Sequence, residues 1–267
     1  MQDDIINAVM KEVMKRVETP EAAPAACPAA PTAAACAASG LTEFVGVCEF
    51  GNTQGLVIAN LDQSIHEIMG FDKKYRSLGI IGARTGAGPQ IMAADEAIKA
   101  TNTEILKVEL PRDTQGGAGH GSLIVFGAED VSDARRAVEV TLDNLPKFFG
   151  DVYGNDMGHL ELQYTARASK CLTTVFGAPE GKAFGLILGA PAVIGMLMID
   201  AAVKSADVDV LDYGSPAHGT SFSNEVFITV SGDSGAVRQA IIAGREVGKP
   251  LLAAWGQDCP SAHIPYI

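Results

Sequence analysis

The sequence predicts an α/β protein of the α+β kind, built from one strand-and-helix module used twice. Three observations predict it. The first is an internal repeat: Asp95, Lys99, Asn102 and Leu106 in AADEAIKATNTEIL return as Asp200, Lys204, Asp207 and Leu211 in IDAAVKSADVDVL, each pair 105 residues apart. The second is the order of patterns, since strand-like apolar runs and helix-like spacings follow one another in the same sequence in both halves. The third is composition: 267 residues, 47% apolar and 19% charged, suffice for two ordinary domains with sizeable cores. So apolar a chain also anticipates that other subunits cover part of its surface.

The elements follow in order. Residues 1–17 read as a short amphipathic helix, with Ile5, Ile6, Val9, Met10, Val13, Met14 and Val17 at helical spacing. Asp3 and Asp4 at its start and Lys15 and Arg16 at its end suit the helix dipole. Residues 18–40 are almost entirely Ala and Pro and read as a flexible linker without a core of their own. The first module spans 41–150: a strand at TEFVGVCEFG, a nearly continuous apolar strand at 76–83, a helix over 92–101 and a strand over 103–110. A loop over 111–122, a strand over 123–127 and a helix capped by Asp130 or Ser132 complete it. The second module, 151–267, repeats the order: strands at ELQYTARA and AFGLILGA, a helix over 197–206, a strand over 207–212 and a loop over 213–224. It closes with a strand over 225–231 and a helix capped by Asp233 or Ser234. Such a module places its helices on one side of an antiparallel-type sheet.

Charge and cysteine usage exclude several functions. A net charge of −12 without a Lys/Arg-rich run disfavours nucleic acids and anionic membrane surfaces. Five Cys at irregular spacings, with no C-x-x-C, argue against a disulfide framework or a zinc ribbon and for a reducing cytosol. The uncharged run 183–199 holds Pro191 and three Gly, and reads as a buried strand, a loop and a helix start rather than a membrane span. Asp3 and Asp4 stand where a signal peptide would carry cations.

Candidate sites are few. The loop GARTGAGPQ, 82–90, lies between a strand and a helix but completes neither a P-loop nor G-x-G-x-x-G. It reads as a tight turn or as one wall of a small-molecule pocket, with Arg84, Thr85 and Gln90 as donors beside Gly86. The loops 111–122 and 213–224 each follow the same strand and each carry one histidine, His120 and His218. Long structureless loops are uncommon unless functional, and a mobile gate or a plain surface turn are the two readings. The five histidines sit in no H-E-x-x-H motif, and no G-x-S-x-G occurs. No residue set therefore asks for catalysis, a cofactor or a metal. Recurring carboxylates, Asp95 with Asp200 and Asp130 with Asp233, suit folding roles such as capping.

Residues 76–127, RSLGIIGARTGAGPQIMAADEAIKATNTEILKVELPRDTQGGAGHGSLIVFG, closely resemble the tandem-domain shell proteins of bacterial microcompartments, and residues 160–250 resemble them more weakly. The N-terminal IINAVMKEVMKR and its Ala/Pro linker are similar to the propanediol-utilisation type of that family. The resemblance implies two circularly permuted, ferredoxin-like domains of βαβ type and a homotrimer that forms a pseudohexameric tile. It implies lateral contacts with other shell proteins, small metabolites of polyol or aldehyde type crossing through pores, and a place in a microcompartment shell in the cytoplasm. It implies no enzymatic activity. It places Gly116, Gly117, His120, His218 and Ser221 at a central pore or gate, and Arg84, Thr85, Gly86 and Gln90 at a small-molecule pocket. It places Lys99 or Lys204 at tiling edges, and gives residues 1–17 the task of binding encapsulated enzymes. Relatives of ethanolamine type carry an acidic residue in the pocket loop where this chain has Gly86-Ala87-Gly88. The alternative from the residues alone is a repeated ferredoxin-like sensor of a small molecule.

Overall fold

A computed structural model of the protein describes residues 41–111, 121–215 and 224–267. The expected helix 1–17, the linker 18–40 and the gate residues Gly116, Gly117, His120, His218 and Ser221 lie outside the described residues.

Each half builds a five-stranded antiparallel sheet. The first contains β1 (Phe44–Cys48), β2 (Thr53–Ile58), β3 (Ser77–Ala83), β4 (Glu104–Glu109) and β5 (Ser122–Ala128), in the order β1-β2-β3-β5-β4. The second contains β6 (Val152–Asn155), β7 (Gly158–Thr165), β8 (Ala183–Ala190), β9 (Val208–Gly214) and β10 (Val226–Gly232), in the order β6-β7-β8-β10-β9. The helices, in chain order, are α1 (Gln63–Met69), α2 (Gly88–Ala100), α3 (Val131–Phe148), α4 (Lys170–Phe176), α5 (Ala192–Ser205) and α6 (Ser234–Ala253). The repeat read in the sequence is thus a repeat of topology.

Alternation along the strands decides which face is covered. In β2, Thr53, Gly55 and Val57 point under α3, while Gln54, Leu56 and Ile58 face the other way. The close approach of α3 needs a glycine: a Cβ on Gly79 would sit 2.7 Å from the Ala134 carbonyl oxygen. Val138, Leu142 and Leu145 of α3 then bury against Ile81 and Val57 of the sheet. In the second half, Val237, Ala240 and Ile241 of α6 pack on Leu160, Leu162 and Ile187 in the same manner.

Two strands and two helices were not read from the sequence. TEFVGVCEFG is not one strand but β1 and a 3-10 turn at Phe50–Asn52, after which TQGLVI returns as β2. Gly51, at φ 67°, permits that reversal. ELQYTARA likewise belongs to a longer β7 that is preceded by β6. The short helices α1 and α4 each begin at a capping side chain, Asp62 on the Ser64 N–H and Ser169 on the Cys171 N–H, and each end at a left-handed glycine, Gly70 and Gly177. Helix α2 starts at Gly88, four residues earlier than expected, because Pro89 suits a first helical turn. Asp233 caps α6 through the Gly235 N–H, whereas Asp130, at the same place before α3, makes no capping bond.

The two halves meet along a seam on which α2 packs against α4 and β7. At its centre Asp95 is fully buried. Its Oδ1 accepts from the Ser169 N–H at 2.9 Å and from the Ser169 hydroxyl at 2.5 Å. Its Oδ2 lies 2.6 Å from the Lys99 ammonium group, which also reaches Thr165 Oγ1 at 3.3 Å. A second clamp holds the C-terminal tail. Buried Asp151 accepts from the Tyr266 N–H, the Ile267 N–H, the Tyr153 hydroxyl and Arg245, all at 2.8–3.0 Å. The tail then crosses to the first half, where His263 meets Phe50 edge-on and Tyr266 meets Phe148 edge-on.

Removing one member of such a buried, charge-assisted cluster strands the others. Asp95→Ala is expected to destabilise the chain by about 3 kcal/mol, and Asp200→Ala, at the exposed equivalent position, by under about 0.5 kcal/mol in the isolated chain. Urea unfolding of the two variants measures the contrast.

Candidate functional site

The seam encloses a cavity of about 340 Å³. Its first wall is the turn Gly86-Ala87-Gly88 with Ile91 of α2 and Val108 and Leu110 around β4. Its second wall is the face of the second sheet turned away from α6, with His159, Glu161, Leu186, Leu188, Asp212, Glu225 and Phe227. The fold therefore sets an apolar chamber around a small group of ionisable side chains.

The turn is held from outside. The Arg84 and Thr85 N–H groups both donate to the Gly51 carbonyl, at 3.0 and 3.1 Å. Gln90 lies beneath, fully buried, donating to Thr53 Oγ1 and to the Thr85 carbonyl at 3.2 Å each. Gln90 and Thr85 thus support the turn, and Gly86 lines the cavity. Arg84 points to a different hollow, of about 490 Å³, on the uncovered face of the first sheet. Of the four residues expected at one pocket, Gly86 and Arg84 line different hollows, and Thr85 and Gln90 line neither of the two.

The polar group in the seam cavity was not foreseen. His159 Nε2 lies 3.4 Å from Glu225 Oε2. Glu161 is buried beside them and its carboxylate accepts from the Gly88 N–H at the start of α2. Burial, reinforced by the nearby Glu225 carboxylate and partly offset by that hydrogen bond, pushes the Glu161 pKa up to about 8. Gly88 is required here, because a Cβ would collide with the Glu161 carboxylate. In the sequence, GHLELQYT alternates polar and apolar residues like a strand with one wet face. His159 and Glu161 are instead buried by the first half of the chain, which local spacing cannot reveal.

The lysines expected at outer edges also separate. Lys99 is engaged with Asp95, Glu96 and Thr165 at the seam. Lys204 is exposed and pairs with Asp200 at 2.7 Å. Among the described residues no group of three or more His, Cys, Asp or Glu is placed to hold a metal, and no helix is long and apolar enough to cross a membrane.

A carboxyl whose folded pKa is raised binds its proton more tightly when folded, so its contribution is fully present below the unfolded value and is lost as pH rises. For Glu161 that window runs from the ordinary glutamate value of 4.5 to about 8. Glu161→Gln is therefore expected to gain stability relative to the parent chain by about 1.4 kcal/mol for each pH unit across it. Thermal unfolding of both at pH 5, 6.5 and 8 gives the slope.

The BMC domain family matches residues 77–155 and again 183–257. The bacterial microcompartment shell protein PduB of Salmonella typhimurium is 62% identical over 227 residues, 85% of this chain and 84% of that protein. The crystal structure of a trimeric bacterial microcompartment shell protein PduB superposes with a TM-score of 0.81 at 56% identity, over 85% of this chain and all of that one. EtuB from Clostridium kluyveri superposes with a TM-score of 0.82 at 55% identity, over 85% of this chain and 99% of that one. A sheet of five strands with helices on one face, present twice and matched twice by one domain family, makes this chain a member of the bacterial microcompartment shell proteins, with two BMC domains.

Proposed function

We propose that three copies of the chain close into a ring of six BMC domains, and that this ring tiles a microcompartment shell while letting small metabolites pass. Proteins of this family are structural components and not enzymes. The observation that carries the trimer is internal. The repeat equates each residue of the seam with one on a free face. Met92 and Leu172 are buried in the seam, at 1% and 0% exposure. Their repeat equivalents, Leu197 on α5 and Ile65 on α1, are 49% and 38% exposed. Val175, packed against the core, corresponds to Ile68, which is 83% exposed. Met196 and Val193 extend the exposed strip on α5. If α5 of one protomer seats on α1 of the next as α2 seats on α4 within the chain, all of these side chains are covered. Lys204 then lies in a seam between protomers, as Lys99 lies in the seam within one.

The seam cavity is the candidate passage within each protomer. Its apolar walls and few polar groups suit a small neutral polyol or aldehyde of the kind a propanediol-utilising compartment handles. The central gate is assigned to Gly116, Gly117, His120, His218 and Ser221, and the tethering of enzyme cargo and the lateral contacts with other shell proteins complete the reading.

Sedimentation equilibrium is expected to return three times the 27.8 kDa chain mass. Ile68→Asp, which buries a charge in the proposed contact, is expected to raise the trimer dissociation constant at least about tenfold while leaving the far-UV circular dichroism unchanged. Negative-stain microscopy of concentrated protein is expected to show hexagonal sheets, and discrete particles that never associate laterally would count against the tile. Deleting residues 1–40 is expected to lower enzyme retention in intact compartments, and unchanged retention would remove the tether from the reading.

A further inference from the structure

The seam inside the chain is a template for the junction between protomers proposed above, on which this inference rests. Helices α4 and α1 are equivalent elements. Each has seven residues, starts at a capping side chain that accepts from the N–H two residues on, and stops at a left-handed glycine. The cap of α4 is Ser169 and the cap of α1 is Asp62, so these two residues take the same place. Asp95 on α2 and Asp200 on α5 take the same place, and so do Lys99 and Lys204. Where the chain brings Asp95 to Ser169, the ring therefore brings Asp200 to Asp62 of the partner subunit.

The exchange turns a donor into an acceptor. The two oxygens of Asp95 have separate tasks. Oδ2 meets the Lys99 ammonium group at 2.6 Å, while Oδ1 accepts from the Ser169 N–H at 2.9 Å and from the Ser169 hydroxyl at 2.5 Å. In Asp200 the first task is filled in the same way, with Lys204 2.7 Å from Oδ2. The oxygen left to face the partner subunit is Oδ1, and an ionised aspartate has no proton to offer it. Asp62 is already an acceptor within its own chain. The Ser64 hydroxyl and the Ser64 N–H both donate to its Oδ1, and they hold its carboxyl below the usual aspartate range. Two carboxylates closed into one seam repel each other, and a proton taken up between them restores the missing donor.

The surroundings bring no second cation. The other charged groups on the elements that meet there are His66 and Glu67 on α1, Lys204 on α5, and Asp209 and Asp212 on β9, the equivalent of the strand β4 on which α4 packs. Strand β2 carries none. Lys170, next to Ser169, has Gln63 as its equivalent, and Lys204 is the one lysine or arginine on these elements. We infer that Asp200 and Asp62 of the partner subunit close each junction between protomers as an acid pair that shares one proton, so that the ring tightens as the medium acidifies and loosens as it turns alkaline. The shared proton takes the role that the Ser169 hydroxyl proton has beside Asp95. A closed junction holds this proton and a separate chain releases it, so its contribution is fully present below the ordinary aspartate value of 3.8 and is lost as pH rises through the range in which the closed pair titrates. The seam within each chain has a serine at this place and needs no such proton, so fixed seams alternate with proton-dependent ones around the ring.

The test is subunit exchange between donor-labelled and acceptor-labelled trimers of the full-length protein, followed by energy transfer at pH 5.5 and 7.5 and constant ionic strength. The wild-type ring is expected to exchange at least tenfold faster at pH 7.5. Asp62→Ser copies the cap of α4, and serine caps a helix as well as aspartate does. It is expected to slow exchange at pH 7.5 at least tenfold and to shrink the pH dependence, and Asp200→Asn is expected to shrink it as well. His66→Gln and Asp209→Asn leave the pair intact and are expected to keep the wild-type dependence. A chain of net charge −12 repels its copies less as pH falls whatever stands at position 62, so the part of the dependence lost with Asp62 is the signal. In a protein of trimeric mass, equal wild-type exchange at the two pH values overturns the pair. So does an undiminished dependence in Asp62→Ser, a dependence that disappears in His66→Gln, or exchange in Asp62→Ser at or above the wild-type rate at pH 7.5. A wild-type chain that sediments as a monomer overturns the assembly reading first and the pair with it. Should Asp62→Ser fail to fold, Asp62→Asn, which also caps helices well, carries the comparison.

Discussion

The rest of the structure depends on one buried carboxylate. Asp95 ties the start of α4, in the second half, to the middle of α2, in the first, and holds Lys99 over the same seam. An ionised group taken out of water is tolerated only where nearly every lone pair finds a partner. That requirement fixes the angle between the halves more sharply than apolar packing can, because Met92 and Leu172 would accept small slides that the Ser169 hydrogen bonds would not. The seam cavity inherits its shape from this constraint. Its two walls come from different halves, and a shift of an ångström between them would part Gly88 from Glu161.

The tail adds a second constraint. Asp151 stands between the last helix of the first half and the first strand of the second, and it gathers backbone N–H groups from Tyr266 and Ile267. A segment whose sequence, DCPSAHIPYI, carries no periodicity therefore becomes a strap across both halves. Its anchors are a charged acceptor, two edge-on aromatic contacts and a single antiparallel bridge from Ser261 to Tyr153 of β6.

The sequence is most legible where the chain repeats itself with long apolar runs. The strands β3, β5, β8 and β10 and the helices α3 and α6 follow from patterning alone, and Asp233 caps its helix as its position suggests. The short elements are illegible for a physical reason. A seven-residue helix such as α1 completes barely two turns, too few to display a period, and β2 carries Gly55 where a side chain would have declared a strand. The pocket was half legible. The glycine turn announced itself through Gly86 and Gly88, yet Arg84 and Gly86, two residues apart, line different hollows. Glu161 and His159 could not be found, since what buries them, the wall from Gly86 to Leu110, lies roughly fifty to seventy-five residues away in sequence.

The alternation of two unlike halves has a consequence for order on a larger scale. A ring of six identical domains returns to itself after a turn of 60°, so its neighbours in a sheet cannot tell one setting from the next. A ring in which β2 carries Gln54 and β7 carries Glu161 at alternate stations returns only after 120°. Each tile then has two distinguishable settings, and a sheet of such tiles is a two-state lattice. Whether its settings align or scatter depends on the difference in contact energy between like and unlike edges relative to RT. Annealing history, as much as composition, would then determine the texture of the finished surface.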